Sequence, residues 1–167
     1  MTLPQCFLEP SRRQWLQQAA VACALVSPLA RAQGKDKHKH LPGTTSLPLS
    51  LQQALQTKQP LVVMVSLEGC AFCKVVRENY LLPLQREGLP MVQINMRDKS
   101  ALVGFDGTPQ TQDGLIRQWG IKIAPTVLFF GERGQEVAQR LNGAYLPDFY
   151  NAYLEEQLTI ARRAVLR

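Results

Sequence analysis

"LVVMVSLEGCAFCKVV" (residues 61–76) runs from an apolar, β-branched-rich stretch into two cysteines spaced C-x-x-C and on into amphipathic sequence. The continuous β-branched-rich run 61–67 reads as a buried strand, the pattern of a parallel sheet. After the cysteines, Val75, Val76, Tyr80 and Leu81 mark the apolar face of a helix, which Pro83 should kink or end. Cys70 and Cys73 therefore stand where a central strand hands over to a helix.

A C-x-x-C alone is ambiguous among metal binding, stapling and redox chemistry. A structural zinc needs four ligands, and the remaining Cys6 and Cys23 lie in what reads below as a removable leader. His38 and His40 lie in a polar tail and read as solvated, although their H-x-H spacing also suits a metal. Haem attachment requires His after the second cysteine, and position 74 is Lys. As a staple the pair would close a very small loop and remove little entropy from the unfolded chain.

Redox work suits the position better. At a helix N-terminus, unpaired N–H groups and the positive end of the dipole favour the thiolate, which is the nucleophile. Such surroundings can lower a thiol pKa from ~8.5 to ~3.5–7.5. Cys70 is the expected attacking sulfur, and Cys73, one turn on and deeper, the resolving one. Lys74 could tune the pair by its positive charge and Glu68 by relaying protons; both residue types are also ordinary on a solvated surface.

Outward from this junction, "SLQQALQTKQ" (50–59) suggests a short helix capped by Ser50, and "MVQINM" (91–96) a second strand. Residues 97–112 read as an inserted loop or small hairpin, and "DGLIRQWG" (113–120) as a helix closed by Gly120. "IAPTVLFF" (123–130) is a strand, "GERGQ" a turn, and "EVAQRLN" (136–142) its partner with Val137 and Leu141 alternating. A last helix should begin at Pro147, with Leu146, Phe149, Tyr150, Tyr153, Leu154 and Leu158 as its apolar stripe. Strands alternating with helices imply an α/β fold with a parallel βαβ unit, and the closing hairpin adds antiparallel strands, giving a mixed sheet with helices on both faces.

The chain of 167 residues, 46% hydrophobic and 19% charged, has the composition of an ordinary globular protein of about one domain. No apolar run approaches the ~20 residues of a membrane span. Residues 1–32 read as an export signal: "SRRQWLQ" (11–17), a short apolar segment, then "ARA" (30–32) for cleavage after about Ala32. The Ser-Arg-Arg-x-aromatic-Leu order resembles a twin-arginine signal, with an ordinary secretory signal as the alternative. Loss of Arg12, Arg13, Arg31 and Glu9 lowers the net charge from +6 to +4, and no basic stripe points to nucleic acid. The expected arrangement is signal 1–32, polar linker 33–47 and domain 48–167, located in the periplasm, where a disulfide can form.

Pro125 cannot donate to a sheet ladder and should sit at the start of its strand, in a trans or a cis bond. With "CAFCK", the "WGIKIAPTVLFFGERGQEV" block (119–137) and Gly143, the chain resembles the thioredoxin superfamily over roughly residues 47–160. The resemblance implies the thioredoxin fold, with a cis-proline loop facing the C-x-x-C, and Gly69, Ala124 and Pro125 as the substrate-binding residues. Departures are visible too. Gly69 replaces the family's Trp, Ala71-Phe72 its Gly-Pro, and Met64 the buried acid six residues before the first cysteine. The aromatic before the second cysteine is similar to glutaredoxin and DsbC motifs, and the insertion "VGFDGTPQTQ" (103–112) is similar to that of exported SoxW-type thioredoxins.

By this resemblance the protein is expected to be an exported thiol–disulfide oxidoreductase that reduces disulfides of selected envelope proteins, sulfur-oxidation proteins or apocytochromes among them. No nicotinamide or flavin motif is present, so no cofactor is expected and electrons should come from a membrane thiol donor. A monomer without nucleic-acid partners is expected. The competing reading is a Cu(I) carrier holding its metal on the Cys70 and Cys73 thiolates.

Overall fold

The computed structural model describes residues 40–144 and 147–167. The expected export signal, most of the expected linker, His38 and the expected stripe residue Leu146 lie outside the described residues.

β1 (Leu61–Ser66) is buried along its whole length and lies inside a four-stranded sheet, between β2 and β5, with β6 (Leu141–Asn142) on the far side of β5. β2 (Met91–Asn95) pairs with it in parallel, with Val63 opposite Val92, and β5 (Thr126–Phe130) pairs antiparallel on the other side, with Met64 opposite Val127. Alternation of side chains divides the interior into two cores. Val62 and Met64 of β1, with Val127 and Phe129 of β5, share one core with Cys73 and the last helix. Val63 and Val65, with Leu128 and Phe130, face α1 (Leu47–Gln56) and α4 (Gln112–Gln118) on the opposite side. Helices therefore cover both faces, as a sheet with unbroken apolar strands requires.

Several local expectations need correction. α1 is capped by Ser46, whose hydroxyl accepts the Leu49 N–H, with a proline in its first turn; Ser50 lies inside the helix and donates its hydroxyl to the Ser46 carbonyl. The end of the expected linker is already packed: Leu41 is buried, and the Gln93 N–H bonds the Pro42 carbonyl at 2.8 Å. The helix after the cysteines neither ends nor breaks at Pro83. α2 (Ala71–Val75) passes into a π-helical turn (Val76–Leu81) and then into α3 (Leu82–Arg86), with the Leu82 N–H bonded to the Arg77 carbonyl. The wider register falls just ahead of Pro83, where an α register would lack a donor and press the ring on the preceding turn. Val75 is turned outward on this helix, while Val76 is fully buried.

The inserted segment is a hairpin, β3 (Ala101–Val103) with β4 (Pro109–Thr111), fixed to the domain through buried Leu102 and a bond from the Val103 N–H to the Thr45 carbonyl. Its Phe105 stacks on Trp119 and packs on Phe130. The strand expected over 136–142 shrinks to β6 (Leu141–Asn142) plus a single bridge from Glu136 to Phe130. Between them the chain leaves the sheet, because other partners take its polar groups. The Gln139 N–H donates to the Gln157 side-chain oxygen at 3.0 Å, and the Arg140 guanidinium reaches across to the Trp119 carbonyl at 2.9 Å.

α5 (Pro147–Val165) buries Tyr150, Leu154 and Leu158 of the expected stripe, joined by Gln157 and Ala161, but not Phe149 or Tyr153. Phe149 and Tyr153 are more than half exposed. Spacing alone admitted both sets, and docking against the sheet selected one. No described helix is long and apolar enough to cross a membrane.

Candidate thiol–disulfide site

The site is built where β1 ends. After Ser66 the chain turns through Leu67 and Glu68 to Gly69, whose φ of +73° lies in the left-handed region that glycine adopts without strain. The Cys70 N–H bonds back to the Leu67 carbonyl at 3.2 Å and closes the turn. Cys70 is then the N-cap of α2: its backbone is extended, and its Sγ accepts the Cys73 N–H at 3.1 Å. A cap ordinarily uses a side-chain oxygen; here sulfur takes that place.

Cys70 and Cys73 form a disulfide, with their Cα atoms 5.2 Å apart. Their environments differ sharply. Cys70 is half-buried at the surface, whereas Cys73 is 1% exposed and packs in the core that contains Met64. Met64 itself is fully buried, so the position of the family's acid is filled by a thioether.

The second wall comes from the segment before β5. The Ala124–Pro125 bond is cis, and the Ala124 carbonyl oxygen lies 4.0 Å from Cys70 Sγ. In the disulfide that sulfur has no proton to donate, so this is a close approach rather than a hydrogen bond. The loop is tied in place from both sides. The Thr126 hydroxyl donates to the Ile123 carbonyl at 2.8 Å, and the Gly143 N–H donates to the Pro125 carbonyl at 2.7 Å.

Gly69, Cys70, Cys73, Ala124 and Pro125 are thus brought together although two of them lie more than fifty residues from the others. Glu68 and Lys74 are exposed beside Cys70, on the rim of an open groove of about 1090 Å³. His40 lines the same groove and is exposed. The sequence reading missed further contributors to this groove, Arg77, Arg97 and Lys99 among them. Phe72 and Ile123 are 66% and 50% exposed. Nothing in residue type alone marks them, since the same residues in a core would read identically.

Chemically, a half-exposed sulfur that receives a helix N–H can leave and attack as thiolate. A second sulfur one turn deeper can close on it, and a fixed backbone segment beside the first presents a carbonyl to whatever binds there.

Residues 47–158 match the family model described as a thioredoxin-like domain. No curated protein matches the chain. Among solved structures it is similar to poplar thioredoxin h (22% identity, 65% of this chain and 85% of that one, TM-score 0.45). It is also similar to a Schistosoma mansoni thioredoxin pre-protein (16%, 72% and 96%, TM-score 0.46). A third is mitochondrial thioredoxin 3 of Saccharomyces cerevisiae (16%, 71% and 93%, TM-score 0.46). With a family match over most of its length and a C-x-x-C disulfide at the head of a helix, the chain belongs to the thioredoxin-like domain family and is a thiol–disulfide oxidoreductase.

Proposed function

We propose that this protein is exported and reduces disulfides of selected envelope proteins, with Cys70 attacking and Cys73 resolving. The observation that carries the assignment of roles is the contrast between the two sulfurs: Cys70 is accessible and capped by an N–H, and Cys73 is buried behind it. The reduced Cys70 thiolate attacks one sulfur of the partner's disulfide; that S–S bond breaks and the other partner sulfur leaves as a thiolate that takes a proton. Cys73, deprotonated, attacks Cys70 Sγ and expels the second partner thiolate. Two electrons pass to the partner, and the Cys70–Cys73 disulfide is the product. A membrane thiol donor then returns the electrons by the same exchange in reverse. Ala124 and Pro125 line the substrate path, Gly69 keeps the approach to Cys70 open, and Glu68 and Lys74 tune the sulfur by charge. Export and the periplasmic location rest on the pattern of residues 1–32.

The deciding experiment is trapping in the protein's own cell envelope. Cys73→Ser should accumulate mixed disulfides with partner proteins, and Cys70→Ser should accumulate none. Absence of trapped partners with Cys73→Ser would overturn the assignment, and tight Cu(I) binding that survives glutathione would replace it with the carrier reading. Direction is read from the redox equilibrium with glutathione: about −270 mV supports a reductase, whereas about −120 mV would make it an oxidant. N-terminal sequencing of the envelope-fraction protein should begin near Gln33.

A further inference from the structure

The groove beside Cys70 contains no residue of the Ala124–Pro125 loop. Its walls are the end of β1, the first turns of the helix, the edge of β2 and the β2–β3 connection. Four permanent cations line it, Lys74 and Arg77 from the helix and Arg97 and Lys99 from the connection, against two carboxylates, Glu68 and Asp98.

The cations are not on loose elements. Arg77 is half-buried and donates to Gln93 Oε1 at 3.3 Å, and the Gln93 amide donates in turn to Asn95 Oδ1 at 2.9 Å. Arg97 has φ +64°, and its N–H is held by Asp113 Oδ1 at 2.8 Å, which fixes the turn that carries Arg97 and Lys99. Asp98 turns its Oδ1 to the N–H and hydroxyl of Ser100, 2.8 and 2.5 Å away. These bonds, that of the Ser100 hydroxyl first, hold its carboxyl below the ordinary range. Asp98 therefore stays ionised, and the excess charge of the groove is positive because four cations face two carboxylates.

We propose that this groove receives an acidic segment of the protein whose disulfide Cys70 attacks, so that the preferred substrates carry Asp or Glu within a few residues of the reacting cysteine. The inference rests on the oxidoreductase reading above and adds to it a substrate class. Extended chain advances about 3.3 Å per residue, so residues adjoining the bound cysteine enter the groove as the chain leaves the disulfide. An open groove with cations on two walls suits a chain carrying several carboxylates, whereas small-molecule sites are concave and bury most of their ligand. Complementary charge of this kind acts mainly on encounter rate and on discrimination between partners.

The test uses the reduced full chain and two disulfide-bonded peptides, identical except that Asp and Glu flanking the cysteine are Asn and Gln in the second. The acidic peptide should be reduced about five- to tenfold faster at low ionic strength, with the ratio falling as salt rises. In Arg97→Glu/Lys99→Glu the ratio should drop below one. Equal rates with the unaltered chain, or a ratio insensitive to salt and to the charge reversal, would overturn the inference. So would a charge reversal that slows glutathione disulfide and leaves the peptide ratio intact, since the groove would then serve a small anionic ligand. Failure to reduce either peptide sinks the oxidoreductase reading together with this inference, whereas equal reduction of both sinks the inference alone.

Discussion

Cys70 Sγ lies 4.0 Å from the carbonyl oxygen of Ala124, a residue 54 positions away that the antiparallel pairing of β5 with β1 carries to the end of the same sheet. Val65 stands opposite Thr126 in that ladder. Residues just beyond β1 and just before β5 must therefore meet at one edge, and the site follows from the register.

The difference in burial between the two sulfurs gives an order of reactivity. In the reduced protein, iodoacetamide should label Cys70 first and leave Cys73 unmodified until the domain opens. The N–H of Cys73 directed at Cys70 Sγ favours the thiolate, so labelling should persist at a pH where an ordinary thiol has become slow. Peptide mapping after brief alkylation checks both; equal labelling of the two cysteines would contradict the assignment of roles.

Tyr150 makes a pH prediction. Its hydroxyl is buried with no partner among the described residues, and its ring lies 4.8 Å from that of Tyr80. Burial, and secondly the charge of Tyr80, pushes the phenol well above its usual 10. The unfolded chain therefore gives up this proton first, so the contribution to stability is complete below about pH 10 and is lost as pH rises above it. Tyr150→Phe should keep or slightly raise stability at neutral pH, since no described bond is broken. Between pH 10 and 11 it should lose about 1 kcal/mol less than the unaltered chain. Denaturant titrations at neutral and alkaline pH measure this; a loss above about 1 kcal/mol at pH 7 would show that the hydroxyl has a partner.

The hairpin is secured through Gly134, which has φ +68° and no room for a side chain: a Cβ there would overlap the Phe105 ring. Gly134→Ala should cost about 2 kcal/mol or more by strain and by displacing Phe105 from Trp119 and Phe130. Chemical denaturation, with tryptophan fluorescence as the probe, reports both effects.

On α5, Leu154→Ala should destabilise by about 2–5 kcal/mol, because Leu154 is fully buried. Phe149→Ser should change stability by less than about 0.5 kcal/mol, since Phe149 is 56% exposed. Thermal or denaturant midpoints separate the two; comparable losses would restore the stripe expected from spacing.

The sequence by itself determined the chemistry and the frame. Leu61–Val65 is apolar without interruption and could only be a central strand, the cysteines had to follow it at a helix start, and Pro125 had to precede β5 because it cannot enter a ladder. These readings rest on local constraints: period, missing donors and capping geometry. What tertiary structure decided was which of several locally equivalent choices was used. Both Ser46 and Ser50 can cap a helix, and Tyr150 and Tyr153 are equally apolar on α5. The segment 136–142 alternates like a strand, yet the Gln157 side chain takes the Gln139 N–H. Arg77, Arg97 and Lys99 are ordinary along the chain and come to line one groove only when β2 is paired beside β1. Local sequence sets each residue's torsional and hydrogen-bonding options; long-range packing selects among them, because burial of the two cores outweighs differences of a fraction of a kcal/mol between local alternatives.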